Sequence, residues 1–75
     1  MRPLETEHQG FKVRVIARPV GRGWSALVEV WPEASTDDAD VRVVPFNATL
    51  GSEKLAQSAG RDAALRWLDR EGKRG

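Results

Sequence analysis

The sequence contains no cysteine and no tyrosine, and its only histidine is His8. The lack of cysteine excludes disulfide bridges and every zinc site built on thiolates. Catalysis by a serine nucleophile needs an adjacent base, and His8 lies in a polar segment without apolar periodicity. We therefore predict that the protein is not an enzyme and has no catalytic residue, no metal site and no cofactor.

Long apolar runs are also missing from the 75 residues. No stretch approaches the roughly 20 apolar residues of a membrane-spanning helix. The first residues, Met-Arg-Pro-Leu-Glu-Thr-Glu-His, lack the apolar segment of a signal peptide. The expectation is a cytoplasmic protein without membrane contact, and the length is that of a single domain.

Charge of one sign is not in excess, because 12 basic residues face 11 acidic ones and the net charge is +1. A dedicated nucleic-acid-binding domain is usually strongly basic. The charges are nevertheless unevenly distributed, since residues 33–40 contain Glu33, Asp37, Asp38 and Asp40 and no basic residue. This segment lacks the Asp-x-Asp-x-Asp-Gly layout of a calcium loop. We interpret it as a mobile, solubilising loop.

Two segments alternate apolar and polar residues with the period of two that is typical of half-buried strands. They cover residues 11–18 and 24–31, and the Gly- and Pro-containing residues 19–23 lie between them. This arrangement predicts an antiparallel hairpin. Pro32 ends the second strand. A short third strand is predicted over residues 41–46, and the pattern leaves its register open.

Residues 52–72 have the pattern of a helix, with Ser52 as N-cap, Glu53 in the first turn and Gly72 as C-cap. At about 100° per residue, one arc carries small residues and a single tryptophan. The members of that arc are Ala56, Ala59, Gly60, Ala63 and Trp67. Leu65 points away from the arc and Leu68 only borders it, so these two leucines are candidates for another contact.

The predicted fold is α+β: a three-stranded antiparallel sheet in the order β-β-β-α, with one C-terminal helix packed on one face. Residues 1–9 are predicted to be a flexible leader, residues 10–72 the single domain and residues 73–75 a disordered tail. The core is expected to rest on the large side chains Phe11, Trp24, Phe46 and Trp67. Dimerisation is the remaining way for so small a domain to bury more surface.

The sheet face that the helix leaves uncovered is the candidate functional surface. Alternation places basic, aromatic and aliphatic side chains together on that face. The candidate residues are Lys12, Arg14, Ile16, Arg18, Leu27, Trp31, Arg42 and Val44.

Three interpretations of that surface remain open. The favoured one is a contact with a protein partner or a second copy, with the aliphatic side chains and Trp31 as the centre and the arginines as the rim. The alternative is weak nucleic-acid binding, with arginines on phosphates and Trp31 stacked on a base. In the third, Trp31 merely covers the aliphatic stems of its neighbours on a solvated face.

Two short motifs also carry a resemblance. Residues 23–28 read Gly-Trp-Ser-Ala-Leu-Val and residues 64–69 read Ala-Leu-Arg-Trp-Leu-Asp. They resemble the Gly-Trp-x-Ala-x-Val strand and the Ala-x-x-Trp-Leu/Ile-Asp helix end of small uncharacterised bacterial β-β-β-α domains. The resemblance spans approximately residues 10–70. It implies the same fold and a bacterial origin, but no activity and no functional residue.

Overall fold

The structure is a computed structural model and describes residues 3–72. Within that range the elements are β1 (Leu4–His8), β2 (Phe11–Val20), β3 (Gly23–Pro32), a short 3-10 helix (Asp38–Asp40), β4 (Arg42–Val43) and α1 (Glu53–Gly72). The strands form one antiparallel sheet in the order β1-β2-β3-β4, and α1 packs against β2 and β3. The α+β fold with a C-terminal helix on one face is confirmed, but the sheet has four strands rather than three. The tail predicted over residues 73–75 lies outside the described residues.

The additional strand is β1, which lies within the segment that the sequence predicts to be a flexible leader. β1 pairs with β2, from Leu4 opposite Val15 to His8 opposite Phe11. Leu4 is its only apolar residue, so the period-two signal of a strand is missing. Strand formation depends strongly on pairing context. Pairing with the free edge of β2 therefore makes this segment a strand, although its own sequence does not favour one.

His8, predicted to be a solvated leader residue, joins β1 to the helix. Its Nε2 atom lies 2.9 Å from Oδ1 of Asp69. Gln9 Nε2 donates a hydrogen bond to the same carboxylate oxygen at 3.0 Å. The first strand is thus connected both to β2 through the backbone and to α1 through these side chains.

The turn between β1 and β2 consists of Gln9 and Gly10, which both have positive φ angles, 51° and 82°. Two positive φ angles are the requirement of a type I′ hairpin turn, in which Asn-Gly is the favoured pair. Glutamine adopts this conformation less readily than asparagine. Gln9 is therefore the residue of this turn whose backbone conformation is strained.

Gln9→Asn is expected to raise the free energy of unfolding by about 0.5 kcal/mol, because it relieves part of the backbone strain at a positive φ. Urea unfolding should show a higher midpoint with an unchanged slope. Gln9→Ala is the matched control, since it removes the contact with Asp69 but keeps the strain. A midpoint for Gln9→Asn below that of Gln9→Ala would contradict this account of the turn.

The hairpin of β2 and β3 is confirmed, with a tighter turn than predicted. Val20 pairs with Gly23, so only Gly21 and Arg22 lie between the strands. Gly21 has a φ of 58°. Glycine takes such a φ without strain, which is what a two-residue hairpin turn requires.

The core consists of valines, alanines and Leu68, not of aromatic residues. The largest fully buried side chains are Val13, Val15, Val28 and Val30. Phe11, Phe46 and Trp67 are only partly buried against this cluster, and Trp24 is half-buried beside it. The prediction that the aromatic side chains carry the core is therefore wrong. The small side chains of the helix leave too little depth between the two layers for a ring.

The start of α1 is as predicted, because Leu55 N donates a hydrogen bond to Ser52 Oγ at 3.2 Å. The predicted contact face is partly wrong. The buried residues of α1 are spaced by four: Ala56, Gly60, Ala64 and Leu68. Such a row runs at about 26° to the helix axis, whereas the predicted arc runs along the axis. Leu68 is 3% exposed and belongs to the core, while Trp67 borders it.

Gly60 marks the closest approach of the helix to the sheet. A Cβ atom at this position would lie 2.7 Å from Val15 Cγ1 and 3.1 Å from Val28 Cγ2. Both valines are fully buried. The short distance between the two layers therefore depends on the missing side chain.

Candidate interaction surface

The uncovered face is defined here as the side chains of the sheet that point away from α1. Residues directly opposite each other in an antiparallel pair lie on the same face. The pairs of β2 and β3 on this face are Lys12–Trp31, Arg14–Glu29, Ile16–Leu27 and Arg18–Ser25. Six of the eight predicted surface residues are therefore brought together, all of them from this hairpin.

The other two predicted residues, Arg42 and Val44, do not belong to the uncovered face. Arg42 lies opposite Val30, and Val44 N donates a hydrogen bond to Val28 O at 2.9 Å. Val44 is 2% exposed and part of the core. The side of the sheet predicted for these two residues is wrong, because a shift of one residue in register turns every side chain of a strand to the opposite face.

Val43, and not its neighbours Arg42 and Val44, points to the uncovered face. It lies opposite Glu29, on the uncovered face, and is 60% exposed. Three consecutive residues, Arg42, Val43 and Val44, follow an irregular segment and precede a proline. Only the pairing with β3 fixes which valine is buried.

An apolar pair lies at the middle of the uncovered face. Ile16 and Leu27 are direct cross-strand neighbours and both are half-buried. Ser25, two residues before Leu27 on the same strand, is buried. The middle of the hairpin on this face is therefore apolar and partly shielded, with Lys12, Arg14 and Glu29 towards one end and Arg18 towards the other.

Acidic residues that the sequence analysis assigned to the leader also reach this face. Glu5 lies opposite Arg14, and Glu7 lies opposite Lys12. Together with Glu29, they match the three basic side chains that the hairpin places there. The alternation of Glu5, Thr6 and Glu7 was the available signal for a strand with a charged face, but it lacks apolar residues. The uncovered face is thus charge-balanced rather than basic.

Arg14 is held by two neighbours on this face. Its Nη1 atom lies 3.7 Å from Glu29 Oε1, and its guanidinium carbon lies 4.9 Å from the centre of the Trp31 ring. A guanidinium at that distance is attracted to the ring face. One face of Trp31 is therefore covered, and the charge of Arg14 is already paired.

A groove of about 500 Å³ lies between this end of the uncovered face and the acidic loop. Trp31, Arg14 and Val43 line one side, and Asp37 and Asp38 line the other. Asp37 is engaged within the loop, because its Oδ1 atom accepts a hydrogen bond from Ala39 N at 2.9 Å. The local charge of the groove is acidic, which does not suit a nucleic-acid backbone.

Among residues 3–72, no group of three or more histidine, aspartate or glutamate side chains is arranged to hold a metal ion. In the same part of the chain, no helix is both long enough and apolar enough to cross a membrane.

Comparison of the chain with protein-family models, with curated proteins and with solved structures gives no match.

Proposed function

We propose that this chain is a small protein-interaction module that binds through its uncovered sheet face. The observation that carries the proposal is the Ile16–Leu27 pair in the middle of the β2–β3 hairpin, on the face that α1 does not cover. An apolar centre surrounded by polar and charged side chains is the usual anatomy of a protein interface. The exposed Val43 extends this apolar centre towards β4.

The charge of the face supports a protein partner over a nucleic acid. Three carboxylates match its three basic side chains, and Arg14 is already paired with Glu29. One face of the Trp31 ring is already covered by the same arginine, so a base could stack only on the other face. The non-enzymatic role and the cytoplasmic location expected from the sequence stay predictions.

Leu27→Asp is expected to abolish binding of the partner, because it places a charge at the apolar centre of the face. Immobilised wild-type and variant chains can be exposed to a lysate, and the retained proteins quantified by mass spectrometry. We expect at least about a tenfold loss of specific retention, the effect of truncating a central interface residue. Leu27→Thr, which favours strands, is the second variant in case the aspartate disturbs folding.

Leu55→Asp is the matched control, since Leu55 is 55% exposed on the helix. Circular dichroism should show that all three variants are folded. Equal retention by wild type, Leu27→Asp, Leu27→Thr and Leu55→Asp, without self-association of any of them, would contradict the proposal.

A further inference from the structure

We infer that the partner of the uncovered face is a second copy of this chain, packed face to face about a two-fold axis that runs along the strands between β2 and β3. This inference rests on the proposed function of the face and names its partner. Two aligned sheets that pack in this way lie about 10 Å apart, with their strand directions within about 30° of each other.

The pairing register of β2 and β3 determines which residues would face each other in such a dimer. A rotation of 180° about an axis along the strands keeps the height of each residue and exchanges the two strands. Each β2 residue then faces the copy of its own cross-strand neighbour. The facing pairs are Lys12 with Trp31, Arg14 with Glu29, Ile16 with Leu27, and Arg18 with Ser25.

Three of these four facing pairs are chemically favourable. Arg14 meets a carboxylate, and Lys12 meets an indole ring, the preferred partner of a cation among aromatic side chains. Ile16 and Leu27 of both copies form a cluster of four aliphatic side chains at the axis. The β2–β3 part of the face is therefore complementary to itself, which is what a two-fold interface requires.

The edges of the sheet are poorly suited to the same task. Antiparallel pairing of two β1 strands centred on Thr6 would place Glu5 directly opposite Glu7 of the second copy, and like charges in that position are destabilising. The opposite edge is β4, which has only two residues. Short and charged edge strands oppose edge-to-edge association. Self-association is thus directed to the face.

The size of the face predicts a weak dimer. A strand spacing of about 4.8 Å and a rise of about 3.4 Å per residue give the face a flat area of roughly 350–450 Å² per copy. Two copies together bury less than the roughly 1,600 Å² of a standard stable interface. We therefore expect a reversible dimer that forms at high micromolar concentrations of the full chain.

Charge reversal at one facing pair tests the geometry. In a homodimer of Arg14→Glu, the introduced carboxylate of each copy faces the unchanged Glu29 of the other. In a homodimer of Glu29→Arg, the introduced guanidinium of each copy faces the unchanged Arg14 of the other. Each variant is expected to dimerise at least about tenfold more weakly than wild type, because like charges facing across an interface repel. The measurement is the mass of the 8.3 kDa chain by sedimentation equilibrium over a concentration series.

Mixing the two variants is the decisive step. In the mixed dimer, the carboxylate introduced at position 14 of one copy faces the guanidinium introduced at position 29 of the other. At the second symmetric site, the unchanged Glu29 of the first copy faces the unchanged Arg14 of the second. An equimolar mixture should therefore recover dimerisation to within about threefold of wild type.

The double variant Arg14→Glu/Glu29→Arg should recover dimerisation as a homodimer, because every facing pair again joins opposite charges. Within one chain each single reversal breaks the Arg14–Glu29 ion pair, and Arg14→Glu also loses the contact with Trp31 and places a carboxylate opposite Glu5. All these side chains lie on the uncovered face, outside the core, so circular dichroism should show both single variants folded.

A wild-type chain that stays monomeric at millimolar concentration would overturn the inference, as would a mixture that remains as monomeric as its components. The proposed function can survive that result. A monomeric wild type that still retains a partner in a Leu27-dependent manner would replace the second copy with another protein. Salt-sensitive binding of single- or double-stranded nucleic acid by the monomer would overturn both.

Discussion

Leu68→Ala is expected to lower the free energy of unfolding by about 2–5 kcal/mol, the range observed for leucine truncation in a packed core. Leu68 is 3% exposed and packs in one cluster with Val13, Val30 and Val44. It ends the row of α1 residues that lies on the sheet and is the largest of them. Stabilities of about 0.05–0.15 kcal/mol per residue are normal. The expected loss is therefore a large part of the total free energy of unfolding of a 75-residue chain.

The measurement is urea unfolding monitored by circular dichroism. Leu55→Ala is the control on the same helix, because Leu55 is 55% exposed and its truncation should change the free energy of unfolding by less than about 0.5 kcal/mol. Equal effects of the two substitutions would show that α1 does not lie on the sheet along the row that contains Leu68.

Gly60→Ala has two opposing effects, and the destabilising one is expected to dominate. Alanine favours the helix over glycine by about 1 kcal/mol. The added Cβ, however, would lie 2.7 Å from Val15 Cγ1, well inside ordinary van der Waals contact. Overpacking of a core typically costs about 1–3 kcal/mol, and the χ1 angle of valine is stiff. We expect a net destabilisation of about 1 kcal/mol for Gly60→Ala and failure to fold for Gly60→Leu.

A double-mutant cycle separates these two effects. Val15→Ala removes the methyl group that lies closest to the new Cβ, so Gly60→Ala should be less destabilising in that background, where the contact with Val28 Cγ2 remains. The expected difference corresponds to a coupling energy of about 1–2 kcal/mol between the two positions. A stabilising effect of Gly60→Ala in the wild-type chain would contradict the close approach of helix and sheet.

The elements with strong local patterns could be predicted from the sequence. The β2–β3 hairpin has a period-two pattern on both sides of a glycine-containing turn, and α1 has a capping serine and a long run of helix-favouring residues. Each of these two signals comes from residues that are close together in the sequence. The face of the hairpin that carries Ile16 and Leu27 follows from the same alternation.

The remaining features depend on contacts between distant parts of the chain. β1 has one apolar residue and forms because the edge of β2 is free. The exchange of Val43 and Val44 depends on a hydrogen bond to β3, since either valine suits a strand. The charge balance of the uncovered face could not be recognised without β1, because Glu5 and Glu7 are supplied by that strand.

The order of the elements along the chain has a consequence for biosynthesis. Neighbouring strands in the sheet are also neighbours in sequence, so the hairpins can pair as soon as they leave the ribosome. The 20 residues of α1 follow later, and translation at about 5–20 residues per second makes that delay on the order of seconds. During this interval the nascent sheet exposes its valine face as well as its Ile16–Leu27 face. A sheet that has formed without α1 thus exposes two apolar surfaces, and the packing of Leu68 covers one of them.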